Sequence, residues 1–249
     1  MGLPEPAADW VFFLDIDGTL LEHAERPDAV RPGEPLFRLL AELHRAAGGA
    51  LALISGRSVS DIDALFAPLR LPAAGQHGVE RRDARGAVHR HAIPTAALRV
   101  VAARIAEFAA GRPGLLLENK GFSLALHYRL APQLAGAAQA ALRDAAAQLG
   151  DGFEVLGGKM VVELKPSGRD KGGAIEEFMR EPPFAGRTPV FIGDDHTDEY
   201  GFGVVNRLGG WSVKVGPELS AARWRIADAP AVRAWLDAWV ARFGAGRVA

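Results

Sequence analysis

Apolar runs without alternation punctuate the first third of the chain, and amphipathic stretches separate them. Val11-Phe12-Phe13-Leu14 and Leu51-Ala52-Leu53-Ile54 carry no polar position, the pattern of strands buried on both faces of a parallel sheet. Apolar residues recur at helical spacing over 35–47 and 61–66, the second stretch capped by Ser58 or Ser60. Strand and helix alternating in this way predict a parallel sheet with helices on both faces. The middle of the chain changes character. Hairpins are expected over 79–89 around Asp83-Ala84-Arg85-Gly86, over 115–128 around Asn119-Lys120-Gly121, and over 153–164 around Gly157-Gly158. Helices are expected over 95–110 and 137–149. The strand–helix pattern then resumes, with helices over 171–180, 197–206 and 232–243 and strands over 189–192 and 211–215. Antiparallel hairpins do not belong inside a parallel sheet. The pattern therefore predicts an α/β chain, a Rossmann-like doubly wound core of residues 1–90 and 167–249 interrupted by an α+β cap of residues 91–166. Ile93-Pro94 and Lys165-Pro166-Ser167-Gly168 have the composition of its hinges.

Composition narrows the function classes. The chain has 249 residues, 49% hydrophobic and 24% charged, enough apolar material for a sizeable core. A formal charge of -1 gives no global attraction to nucleic acid or an acidic membrane, so an anionic ligand needs a local site. The absence of cysteine excludes disulfides, thiolate metal sites and a cysteine nucleophile. No stretch approaches membrane-spanning length, and no basic segment followed by an apolar one opens the chain. A cytoplasmic protein is expected, without nucleic-acid or membrane partners.

Four polar clusters stand at predicted strand ends or helix starts. Asp15-Ile16-Asp17-Gly18-Thr19-Leu20 follows the first strand. Its two carboxylates repel unless a cation lies between them or a pKa shifts, although an Asp-Gly turn alone would explain the residues. Ser55-Gly56-Arg57 follows the second strand, where a hydroxyl and amides suit a phosphate and equally suit a plain helix cap. Lys171 opens a helix, where the dipole disfavours a cation unless it neutralises an anion. Gly193-Asp194-Asp195-His196-Thr197-Asp198-Glu199 places four acids in six residues, more than capping requires. A hard cation such as Mg²⁺ would account for the excess. Together the clusters hold a carboxylate nucleophile, a second acid, a hydroxyl, an ammonium and a metal site, the parts of a phosphoryl transfer.

The order DxDGT, SGR, Lys, GDD resembles the haloacid dehalogenase superfamily, and an insertion between the second and third motifs resembles its C2-capped branch. Gln76-His77-Gly78, Glu118-Asn119-Lys120-Gly121, His127-Tyr128-Arg129 and Val162-Glu163-Leu164-Lys165-Pro166 extend the likeness to trehalose-6-phosphate phosphatases. That resemblance implies Asp15 as nucleophile and Asp17 as general acid and base. It implies Mg²⁺ on the side chains of Asp15 and Asp194 and the carbonyl of Asp17, with Asp195 and Asp198 supporting the ion or orienting its ligands. Lys171, Ser55 and Thr19, with Gly56 beside them, would hold phosphoryl oxygens. Glu118, Lys120 and Glu163 would bind the distal glucose, with Arg129, Arg57 and His77 as further contacts. The implied activity is hydrolysis of trehalose 6-phosphate to trehalose and phosphate, the last step of trehalose biosynthesis, by a monomer supplied by a separate synthase. A phosphatase for another sugar phosphate, such as mannosyl-3-phosphoglycerate, and a non-catalytic sugar-phosphate sensor are the alternatives.

Overall fold

A computed structural model describes residues 3–22, 32–93, 95–158 and 160–244; Pro94, named above as a hinge residue, lies outside these. The chain divides into two compact units, residues 1–89 with 170–249, and residues 90–169.

The first unit is built on β1 (Trp10–Leu14), all five residues of which are buried. It pairs in parallel with β2 (Leu51–Ile54) on one side and β10 (Thr188–Gly193) on the other. The sheet continues in parallel through β11 (Trp211–Val215) to β12 (Trp224–Ile226), and from β2 to β3 (Ala73–Gly75). Then β4 (Glu80–Arg82) returns antiparallel to β3, and β5 (Val88–Arg90) completes the order β12-β11-β10-β1-β2-β3-β4-β5. The hairpin expected over 79–89 forms this edge, and β4 runs antiparallel to β3 for a simple reason. Only residues 76–79 join β3 to β4, too few for a crossover helix.

Successive residues of β1 face opposite sides of the sheet. Phe12 meets Trp239 of α7 (Ala229–Phe243) at 4.8 Å between ring centroids, while Phe13 meets Phe178 of α5 (Lys171–Met179) at 5.9 Å and Phe184 at 5.4 Å. On the α7 side lies α1 (Glu34–Ala46), and on the α5 side α6 (Asp198–Arg207). Right-handed crossovers from β1 to β2 and from β10 to β11 run in opposite senses, which puts a switch point between β1 and β10. Ligands bind at the carboxyl ends of strands beside such a point, and Asp15 and Asp194 are the first residues beyond these two strands. Between β2 and β3, α2 (Val59–Phe66) starts two residues earlier than its periodicity suggested, because Ser58 accepts the Asp61 amide at 3.1 Å. The strands β3 and β12 have three residues each, too few to carry a readable pattern.

The second unit contains α3 (Thr95–Ala110), β6 (Leu116–Asn119), β7 (Leu124–His127), α4 (Ala135–Leu149), β8 (Phe153–Gly158) and β9 (Val161–Pro166). Its sheet is antiparallel throughout, in the order β6-β7-β9-β8. One face carries Leu124, Leu126, Val162 and Leu164 into a core shared with Leu98, Ile105 and Leu142 of the helices. Register places Glu118, Ala125 and Glu163 in a row on the other face. Gly157 and Gly158 are not the turn of the last hairpin; they are strand residues that pair with Val162 and Val161. Lys165 and Pro166 are strand residues rather than hinge residues. The Lys165 ammonium donates to Glu154 Oε1 and to the Arg169 carbonyl, both at 2.6 Å.

Phe13→Ala removes a fully buried ring from the central strand and should cost about 3–5 kcal/mol. Urea denaturation followed by tryptophan fluorescence measures this.

Candidate active site

The carboxyl ends of β1 and β10 and the start of α5 converge on one buried ammonium. Lys171, 3% exposed, donates to Asp15 Oδ1 and to Asp198 Oδ1, each at 2.7 Å. Burial opposes the charge on Lys171, but the two carboxylates overcome it and hold the ammonium well above its ordinary pKa. Burial pushes the Asp15 carboxyl up; Lys171 pulls it down, and the negative charges of Asp198 and Asp194 raise it further. Asp198, fully buried, is likewise raised by desolvation against the opposing pull of Lys171. An ammonium has three donors; two are taken here, leaving one for a ligand.

Asp198 does more than pair with Lys171. Its Oδ2 accepts the amides of Asp194 at 3.0 Å and Asp195 at 2.9 Å, tying the acidic loop to the first turn of α6. Asp15, Asp194 and Asp198 each offer an oxygen within 4.8 Å of the others. An all-oxygen, carboxylate-rich set facing one ammonium fits a hard divalent cation. The cluster does not include Asp195, whose Oδ1 accepts the His196 amide at 2.7 Å. Asp194 lies against Gly18, which has φ +88°; a Cβ there would come within 2.2 Å of Asp194 Oδ2. Only glycine permits both that backbone and that approach.

Thr19 is fully buried, with its hydroxyl 3.4 Å from Asp194 Oδ1. Ser55 is also buried, and its oxygen accepts the Arg57 amide at 3.1 Å. Arg57 makes a two-pronged pair with Asp17, Nε to Oδ2 at 2.7 Å and Nη2 to Oδ1 at 2.6 Å. The structure thus turns Arg57 onto the second acid of the first motif. The His77 ring packs on Gly56, where a Cβ would come within 2.9 Å of it, and the His77 amide donates to the Ser55 carbonyl at 3.1 Å. Gln76 and His77 both have positive φ, 48° and 56°. Such backbone is costly for non-glycine residues, and it shapes the support beneath the Ser55–Arg57 loop.

The remaining expected residues lie in the second unit. Lys120 Nζ and Ser123 Oγ donate to Glu163 Oε1 at 3.2 and 3.0 Å, and Glu118 Oε2 lies 2.9 Å from His127 Nε2. Burial acts to raise the Glu118 carboxyl, but the His127 hydrogen bond and the Lys120 charge outweigh it and hold the group below its usual range. Arg129 is half-buried just beyond this strand. The sequence pattern passed over Lys214, a 3% exposed lysine whose ammonium donates to the Asp194 carbonyl. Its signal was a lone cation in the otherwise uncharged strand Trp211-Ser212-Val213-Lys214-Val215.

Gly18→Ala should displace the Asp194 carboxylate and lower turnover at this site about 100-fold, the scale of a 1 Å misplacement. Circular dichroism should remain that of the parent chain.

The comparisons with known proteins agree with one another. A family model described as trehalose-phosphatase matches residues 13–228. The chain is 48% identical over 234 residues to the trehalose-6-phosphate phosphatase of Escherichia coli, covering 94% of this chain and 88% of that one. It is 45% identical to a probable trehalose-phosphate phosphatase of Sinorhizobium fredii, covering 86% and 80%. The C-terminal domain of Candida albicans trehalose-6-phosphate phosphatase superimposes with a TM-score of 0.82 over 94% of this chain and 92% of that one, at 21% identity, a likeness of fold. The fold is accordingly that of the solved trehalose-6-phosphate phosphatase domain, and the chain belongs to the trehalose-phosphatase family.

Proposed function

We propose that the protein hydrolyses trehalose 6-phosphate to trehalose and inorganic phosphate through a phosphorylated Asp15. The observation that carries this reading is the buried Asp15 carboxylate at the switch point of the sheet, oriented by Lys171 and adjoined by Asp194. Family membership and the named activity of the Escherichia coli relative support the substrate.

In the first step a carboxylate oxygen of Asp15 attacks phosphorus, and the bond from phosphorus to the sugar oxygen breaks. Asp17 gives the departing sugar oxygen its proton. Arg57 engages one lone pair on each Asp17 oxygen, and the second lone pair on each remains to carry that proton. In the second step Asp17 takes a proton from water as that water attacks phosphorus; the bond from Asp15 to phosphorus breaks and phosphate is released. Lys171, through its remaining donor, and Ser55 and Thr19 hold phosphoryl oxygens as charge shifts onto them. Asp15, Asp194 and the Asp17 carbonyl would hold Mg²⁺, with Asp198 and Asp195 around them. When bound, the ion supplies charge neutralisation between the nucleophile and the phosphate dianion.

We assign reading of the sugar to the 90–169 unit, where Glu118, Lys120 and Glu163 project from one polar sheet face and Arg129 stands nearby. Carboxylates and an ammonium fix several hydroxyls at once, and Lys120 and Ser123 already orient Glu163. The substrate itself must come from a reaction that joins two glucoses and leaves one phosphorylated, so a synthase is the functional partner. Among the described residues no helix is long and apolar enough to cross a membrane.

Phosphate release should be fastest from trehalose 6-phosphate in a panel of sugar phosphates, should vanish with EDTA and should return with Mg²⁺. A preference for mannosyl-3-phosphoglycerate would move the assignment to that ester, and no release from any ester would favour a sensor. Asp15→Asn should abolish turnover in a folded chain. Glu163→Gln should cost about 10- to 100-fold in kcat/KM on trehalose 6-phosphate, the scale of hydrogen bonds to a charged group. Its activity on p-nitrophenyl phosphate should be largely retained; equal losses on both esters would remove sugar reading from this face.

A further inference from the structure

We propose that Lys214 is a positioning residue for the metal site: its ammonium locks the peptide plane between Asp194 and Asp195 and so aims the Asp194 carboxylate. The inference rests on the metal reading above and concerns a residue outside the four sequence motifs.

A lysine does not suit its place in the sheet. In β11 the residues Val213 and Val215 are buried, and alternation sets Ser212 and Lys214 on the opposite face, buried as well. Taking an ammonium out of water costs several kcal/mol unless it finds good partners. Lys214 has two. Glu218 Oε2 is 3.6 Å away on a side chain 59% exposed, beyond hydrogen-bond reach and screened by solvent. The other is the Asp194 carbonyl, a charge-assisted hydrogen bond made inside the protein. The strong interaction of this buried cation is therefore with the backbone of the acidic loop.

The geometry of that contact gives it a consequence. Lys214 is paired in register with Gly193, the last residue of β10, so its side chain needs to reach only one residue along to meet Asp194. The carbonyl of Asp194 and the amide of Asp195 are opposite ends of one planar trans unit. Lys214 takes the carbonyl end, while Asp198 Oδ2 takes the amide end at 2.9 Å. Asp198 also takes the preceding amide, that of Asp194, at 3.0 Å. With the peptide planes on both sides of its Cα held, Asp194 has no freedom left in φ or ψ, and its carboxylate direction depends on χ1 and χ2 alone. Gly18 and the Thr19 hydroxyl flank that carboxylate. Without Lys214 the loop keeps its amide contacts but loses the one on the carbonyl.

Groups that orient metal ligands typically account for about 10- to 100-fold in metal affinity. The test is Mn²⁺ binding to the full chain, followed by electron paramagnetic resonance and repeated with Mg²⁺ by calorimetry. Lys214→Met keeps the length and apolar stem and removes the donor. Its metal dissociation constant should rise about 10- to 100-fold, while kcat at saturating Mg²⁺ returns most of the way to that of the parent. K214R, which keeps a cationic donor, should bind metal more tightly than K214M. E218Q should bind metal as the parent chain does, since Glu218 is not the partner that matters. A folded K214M with unchanged metal affinity overturns the proposal, as does an E218Q variant that loses metal affinity as K214M does. If K214M does not fold, K214L, which also lacks a donor, is read in the same way: weakened binding supports the proposal and parental affinity overturns it. Failure of the parent chain to bind either ion would instead overturn the metal reading on which the proposal stands.

Discussion

The arrangement depends on one buried cation, Lys171, held between Asp15 and Asp198. Three structural elements are tied through it, the end of β1, the start of α5 and the first turn of α6. None of the three charges could be buried alone, because desolvating an unpaired ion costs more than a single domain can spare. Paired, they remain unbalanced: Asp15, Asp194 and Asp198 oppose the ammonium of Lys171 with an excess of negative charge, and Lys214 lies against the Asp194 backbone. An excess of negative charge on clustered oxygen donors fits a hard divalent cation, and burial, with the charges of Asp198 and Asp194, raises the Asp15 carboxyl against the pull of Lys171. Stability and reactivity come from the same contacts.

Around this centre the backbone is arranged by close approaches. Gly18 yields its side-chain space to Asp194, and Gly56 yields its own to His77. The consecutive left-handed residues Gln76 and His77 bring their amides to the Arg57 and Ser55 carbonyls at 2.8 and 3.1 Å. Two loops from neighbouring strands are thereby laced together under Ser55. The second unit follows a different logic. Its helices cover one face of an antiparallel sheet and leave the other to Glu118, Lys120, His127 and Glu163, a polar surface held in fixed pairs.

Much of this was legible in the sequence because burial leaves a pattern. The runs 11–14 and 51–54 read as buried strands, and each is followed directly by its site residue, Asp15 or Ser55. Lys171 was visible as a cation at a helix start, where the dipole disfavours it. Other features left weaker traces. The three-residue strands β3 and β12 owe their conformation to neighbours rather than to their own periodicity. Gly157-Gly158 has turn composition, yet the ladder with Val161 and Val162 extends through it. The resemblance implies Arg57 as a further sugar contact; its pairing with Asp17, an acid 40 residues earlier, has no local signature. Lys214 shows only as a charge where alternation expects burial; its partner, a backbone carbonyl on another strand's loop, carries no side-chain signal at all.

The central claim is that Asp15 carries the phosphoryl group in transit. Borohydride reduces an aspartyl phosphate to homoserine, so quenching the protein with borohydride during turnover and mapping its peptides by mass spectrometry reads that residue directly. The account predicts homoserine at position 15 alone, and only when trehalose 6-phosphate and Mg²⁺ are both present. Reduction at another carboxylate, or none during active turnover, would contradict it.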